Sequence, residues 1–209
     1  MTAKKRGDET TQLGIYIVYD KSGSMASKQE EALSSTNAYI RALDLDTVIT
    51  VVAFSSNDPH SLVRDHVTVR EFQNIEPREV IVGGWTPLYD AVGKMLDVIF
   101  RDAPKRAVLV VQTDGQENTS KEYTLAAINA RIAEAKRKGY EVIFLGSEFD
   151  EVYGQAKGLG VGRRHTINRV AGRYDETSSA LAGQTRGYAV TGQSMNFTDA
   201  DKVKLGDND

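Results

Sequence analysis

The stretch Gly14-Ile15-Tyr16-Ile17-Val18-Tyr19-Asp20-Lys21-Ser22-Gly23-Ser24-Met25 changes character at one residue. An apolar, β-branched run stops at Asp20, and serines follow at alternate positions before a helix-like segment begins. That is the pattern of a strand ending in a polar loop. D-x-S-x-S offers one carboxylate and two hydroxyl oxygens, hard donors suited to Mg²⁺ or Mn²⁺. Gly23 permits the bend that turns Ser22 and Ser24 to one side. With one formal charge among three groups, a bound dication keeps much of its charge and attracts a further anion. The same residues also fit a plainer role, in which the serines cap a helix and Asp20 is a solvated turn residue. Distant residues decide between the two.

Working outward, Ser27-Lys28-Gln29-Glu30 has the spacing of a capping box, and the apolar positions after it predict a helix over 27–42. Thr47 to Phe54 is a nearly continuous apolar run, as in a strand covered on both faces. Residues 61–72 suit a half-exposed edge strand or hairpin, and 71–82 a loop or short helix broken by Pro77. In Gly83-Gly84-Trp85-Thr86-Pro87-Leu88-Tyr89-Asp90-Ala91, Thr86 is placed as the N-cap and Pro87 as the first residue of a helix reaching Phe100. Arg106 to Thr113 is a second buried strand, and it too ends at an aspartate, Asp114, followed by Gly115. Thr119-x-x-Glu122 predicts the start of a helix that closes at Lys136-Arg137-Lys138-Gly139. A strand over 140–145, a short helix over 150–157, a strand over 163–167 and a helix over 176–190 follow. Residues 1–11 form a polar leader, 12–190 one domain, and 191–209 a polar, acidic, flexible tail.

Strands alternating with helices imply an α/β fold of three α/β/α layers, Rossmann-like, with a mainly parallel sheet and one antiparallel edge strand. Ligands in such folds gather at the carboxyl ends of strands, near the switch in strand order. If the strands ending at Asp20 and Thr113 are neighbours, Asp20, Ser22, Ser24 and Asp114 converge on one crevice, and the glycine loop brings Thr86 to the same place.

The net charge of −3 makes no strong electrostatic claim on nucleic acid or membrane. The absence of cysteine removes disulfides and thiolate metal sites. The leader lacks the apolar core of a secretory signal and no segment is apolar enough to span a bilayer, which makes the cytoplasm the default expectation. Arg6-Gly7-Asp8 and the sequons at Asn118 and Asn196 are read as chance.

In its motifs the sequence resembles a von Willebrand factor A domain with a metal-ion-dependent adhesion site. Asp20, Ser22 and Ser24 match the family's D-x-S-x-S, the glycine loop around Thr86 its threonine loop, and Thr113-Asp114-Gly115 its last motif. The resemblance implies that Ser22 and Ser24 bind the cation directly, Thr86 directly or through water, and Asp20 and Asp114 largely through water or hydrogen bonds. It implies a non-enzymatic module whose sixth ligand is an acidic side chain of a partner protein. The pattern is similar to short, single-domain members from bacteria and phages, which take part in larger assemblies, some beside ring-shaped ATPases. Trp85 departs from the family, where a small residue is usual; its ring either shapes the partner surface beside the metal or packs under the loop, and packing is the favoured expectation.

Two rival readings stand beside this one. Asp20 as a phosphoryl-transfer nucleophile lacks a general acid two residues on, where Ser22 stands. His60, His66 and His165 are scattered and expected at the surface or in loops. Nucleic-acid binding would rest on Arg163, Arg164, His165, Arg169 and Arg173, a cluster that more often marks a solvated face. Within the tail, Asp199, Asp201, Asp207 and Asp209 offer carboxylates that could reach the metal in cis or in a neighbouring subunit.

Overall fold

In the computed structural model, which describes residues 13–147 and 151–207, every residue of β1 (Leu13–Asp20) is buried. Its unbroken apolar run requires cover on both faces. Ile15, Ile17 and Tyr19 enter one apolar layer, Tyr16 and Val18 the other. β1 lies mid-sheet, parallel to both β2 (Val48–Ser55) and β4 (Arg106–Thr113). Beyond β2 runs β3 (Asp58–Thr68), antiparallel. On the other side β5 (Glu141–Ser147) and β6 (Thr166–Arg169) continue in parallel, giving the order β3-β2-β1-β4-β5-β6.

Helices α1 (Gln29–Arg41) and α5 (Tyr174–Thr191) cover one face of the sheet. The other is covered by α2 (Leu88–Asp102), α3 (Leu125–Arg137) and α4 (Val152–Gly158). On α2, Leu88, Ala91, Val92, Met95, Leu96 and Ile99 form a stripe no more than 1% exposed. Their i, i+3, i+4 spacing is that of a helix with one core face. Each large side chain of this kind stabilises the fold by roughly 1.5–3 kcal/mol when buried. The expected three-layer α/β fold with an antiparallel edge strand is therefore found.

The chain leaves β1 toward β2 and β3, then returns to β4 on the opposite side. Strand order reverses between β1 and β4, so a crevice opens at their carboxyl ends, where Asp20 and Thr113 stand.

Several local expectations need correction. Ser27 does not cap α1; it closes a 3₁₀ turn, Gly23–Ser27, and Lys28 holds the N-cap position without a side-chain bond. Thr86 is not a cap either, because α2 begins after Pro87. The helix expected from Thr119 begins at Leu125, capped by Thr124, whose side chain accepts from the Ala127 amide. The reason lies in α2. The Asp90 carboxylate takes the amides of Lys121, Glu122 and Tyr123, and Glu117 those of Thr119 and Ser120, so these residues cannot enter a helical ladder.

The segment read as a flexible tail is ordered through residue 207. Met195 and Phe197 are 1% exposed, Leu205 is buried, and α6 (Asp199–Lys204) opens with a capping box between Thr198 and Asp201. Lys202 is buried with its ammonium donating to the Arg163 carbonyl at 2.6 Å and the Tyr153 hydroxyl at 3.1 Å. The leader, Asp150 and Asp209 lie outside the described residues.

Candidate metal centre

Asp20 sits at the last position of β1 and is fully buried. One carboxylate oxygen accepts the Ser22 amide at 2.7 Å and the other accepts the Thr113 hydroxyl at 2.6 Å. Burial pushes its carboxyl up to about 6, and these hydrogen bonds offset part of the rise. The amide bond folds the chain back over two residues, an Asx-type turn that presents the serines. Ser22 and Ser24 hydroxyls lie 3.2 Å apart, and the Ser24 hydroxyl donates to Asp114 Oδ1 at 2.6 Å. The Asp114 side chain is fully buried, and its Oδ2 accepts from Lys28 Nζ at 3.3 Å.

The threonine loop joins this cluster through backbone bonds. The Gly23 amide donates to the Gly84 carbonyl at 3.0 Å and the Gly83 amide to the Lys21 carbonyl at 2.8 Å. Gly84 has φ +82° and no room for a Cβ, which would lie 2.6 Å from Ser56 Oγ. On the other side Asn118 grips Thr86 twice: its side-chain oxygen accepts the Thr86 amide at 2.9 Å, and its own amide donates to the Thr86 carbonyl at 3.2 Å. A Cβ placed on Gly115 would meet Thr86 Oγ1 at 3.4 Å and Ser24 Oγ at 3.8 Å. The hydroxyls of Ser24 and Thr86 thus both border the space beside a residue with no side chain.

Asp20, Ser22, Ser24, Thr86 and Asp114, named from sequence, are all brought to this one place. Among the described residues no three or more His, Cys, Asp or Glu side chains gather as a metal cluster. The donor set is instead hydroxyls in front with carboxylates behind, and it fits a hard dication such as Mg²⁺ or Mn²⁺. Ser22, Ser24 and Thr86 would hold the ion, with Asp20 and Asp114 orienting them.

Thr113, Asn118 and Lys28 carry parts of this site that spacing did not assign. Thr113 stood inside a quoted motif, yet its bond to Asp20 depends on β1 and β4 being neighbours. Asn118 and Lys28 act across 32 and 86 residues of sequence, beyond any local signal.

Trp85 reverses its expectation. The residue is 68% exposed, while its backbone is pinned by a bond from its amide to Ser56 Oγ and one to its carbonyl from the Ser56 amide. The remaining candidates lie elsewhere. His66 pairs with Asp102 at the far end of α2. His165 presents one nitrogen, Nε2, to both Glu141 at 2.9 Å and Ser194 at 3.3 Å. Acid and hydroxyl on the same nitrogen make no proton relay. The basic cluster is not one surface: Arg169 is 1% exposed, bonded to Ser147 Oγ and stacked 4.4 Å from the Tyr174 ring centre. Of the tail carboxylates, Asp199 pairs with Arg163, Asp201 caps α6, and Asp207 accepts from the Tyr153 hydroxyl and the Asn168 amide. The described tail carboxylates therefore have partners away from the site within the same chain.

Three solved structures show how the fold compares. A von Willebrand factor type A protein from Catenulispora acidiphila superimposes with a TM-score of 0.61 at 17% identity, over 84% of this chain and 42% of its own. Proximal thread matrix protein 1 from the mussel byssus, with a zinc-occupied MIDAS motif, gives 0.54 at 14% identity, over 85% of this chain and 46% of its own. The manganese-loaded TRAP protein of Plasmodium vivax gives 0.55 at 14%, over 81% and 72%. The chain spans less than half the length of the first two. A search of curated proteins returned no match. The profile of the von Willebrand factor type A domain matches residues 14–176, and the chain belongs to that family.

Proposed function

We propose that this domain is a non-enzymatic, cation-dependent protein-binding module whose site is a metal-ion-dependent adhesion site. One observation carries the reading: each oxygen of Asp20 and Asp114 already holds a neighbouring residue. The carboxylates orient hydroxyls and leave the donor face neutral. When bound, a Mg²⁺ or Mn²⁺ ion supplies an electrophile that accepts an outside carboxylate. Ser22, Ser24 and Thr86 position it, and Asn118 and Thr113 keep their loops in register. The partner then provides an Asp or Glu side chain, and the exposed Trp85 ring supplies apolar surface on the threonine loop.

Support also comes from the zinc and manganese in the two metal-bearing relatives. Burial counts against Asp20 as a nucleophile, since the carboxylate is 0% exposed and both its oxygens are turned to Ser22 and Thr113 rather than to an incoming phosphoryl group. Calorimetric titration of Mn²⁺ into the chain and into a Ser22→Ala, Ser24→Ala variant tests the reading. Saturable binding by the parent that the variant loses, with circular dichroism unchanged, is expected; equal binding by both would reject it.

A further inference from the structure

Among the described residues, Lys28 is the one with a positive side chain hydrogen-bonded to a cage carboxylate. Its ammonium donates to Asp114 Oδ2 at 3.3 Å and to the Ser147 carbonyl, at the end of β5, at 3.2 Å. Two partners fix it there, and its backbone is fixed as well, at the start of α1 where its amide bonds the Met25 carbonyl at 3.0 Å. Asp114 is fully buried and Lys28 keeps only 21% of its side chain exposed, so water screens this pair poorly. The other nearby lysine, Lys21, is directed to Asp58 at 3.2 Å instead.

We propose that Lys28 sets the charge of the cage, so that a dication is held weakly alone and firmly only together with an outside carboxylate. The proposal rests on the metal-centre reading above and adds to it a reason for coupling. Behind the cage the buried Arg169 guanidinium, bonded to Ser147 Oγ at 2.6 Å, also feels Asp114, so the two carboxylates face two cations, of which Lys28 alone is hydrogen-bonded to a cage carboxylate among the described residues. A divalent ion entering such a pocket would meet hydroxyl donors, little net negative charge and a fixed ammonium that cannot be displaced without breaking its bond to Ser147. The charge left on the ion is then neutralised by the partner's carboxylate. Metal and acid raise each other's affinity by the same factor, as linkage requires. The module would release its cation when its partner leaves.

A purely structural role for Lys28, tying the first loop to the end of β5, makes the opposite forecast. Loosening that tie would weaken metal binding. Removing a fixed charge beside the cage strengthens it.

The test is Mn²⁺ affinity, by titration calorimetry or by the electron paramagnetic resonance signal of free Mn²⁺, for the parent chain, Lys28→Met and Lys28→Gln. Each is measured with and without a glutamate-containing peptide. Glutamine keeps a donor for Ser147 without the charge, so it reads the effect if the methionine variant does not fold. We expect both variants to bind Mn²⁺ alone about tenfold more tightly, and the peptide to raise that affinity less than it does in the parent. The Tm in chelator should fall, because Asp114 loses its ammonium, and Mn²⁺ should restore it. If the parent binds Mn²⁺ but the folded variants bind it equally or less well, the role of Lys28 is overturned while the metal centre stands. If the parent binds no Mn²⁺ at millimolar concentration, the metal-centre reading itself fails.

Discussion

Thr113 donates its hydroxyl to Asp20 at 2.6 Å, joining the last residues of β4 and β1 at the point where the strand order reverses. The bond is fully buried at both ends, both residues being 0% exposed. It holds in one place two motifs that lie 93 residues apart.

Thr113→Val keeps the shape and deletes this donor. One oxygen of a buried carboxylate is then unsatisfied, at a cost of about 1–3 kcal/mol. Urea denaturation should show the loss without a change in m-value. Stability equal to the parent's would mean that Asp20 is held in some other way.

Asn118→Ala removes the oxygen that accepts the Thr86 amide at 2.9 Å. Thr86 keeps only the backbone bond from residue 118 to its carbonyl, so Mn²⁺ affinity should fall severalfold while the helices and sheet persist. Unchanged affinity in a folded variant would show that Thr86 needs no such anchor.

Gly115→Ala is a sharper probe of the cage. The added methyl would stand 3.4 Å from Thr86 Oγ1 and 3.8 Å from Ser24 Oγ, against two of the hydroxyls that would hold the ion. Thermal stability should change little, by under about 1 kcal/mol, because this half-buried glycine has no positive φ and the added methyl makes only ordinary van der Waals contacts. Mn²⁺ binding should nevertheless drop by an order of magnitude or more. Retained binding would place the cation elsewhere.

Much of this arrangement was legible in the sequence. Apolar runs in β1, β2 and β4 named the buried strands because burial on both faces leaves no polar alternation to confuse them. D-x-S-x-S, the Thr86 loop and Asp114 were found because chemistry confines them to strand ends. The start of α3 was not legible, because the amides of Thr119 to Tyr123 are taken by Glu117 and by Asp90, a residue of another helix. Nor was the order in residues 195–207: polar residues outnumber the apolar ones there, and Met195, Phe197 and Leu205 find their cover only in the folded core. The exposure of Trp85 follows from backbone bonds to Ser56 that no local pattern announces.

His66 gives the fold a pH dependence away from the site. Burial opposes its charge, but hydrogen bonds and the charges of Asp102 and Asp65 outweigh that and hold the imidazole above its usual range. A raised pKa in the folded chain means that its contribution to stability is fully present below the unfolded value of about 6.5 and is lost as pH rises through the folded value. Metal-free protein should therefore lose stability between slightly acid and slightly alkaline pH in a way that His66→Gln does not. Parallel pH profiles for the two would contradict the ion pair.

The most direct measurement is Mn²⁺ binding to the parent chain and to the Ser22→Ala, Ser24→Ala and Thr86→Ala variants, each confirmed as folded. The account predicts saturable binding by the parent at one site and loss of affinity in every variant. Binding that is indifferent to all three hydroxyls would contradict it.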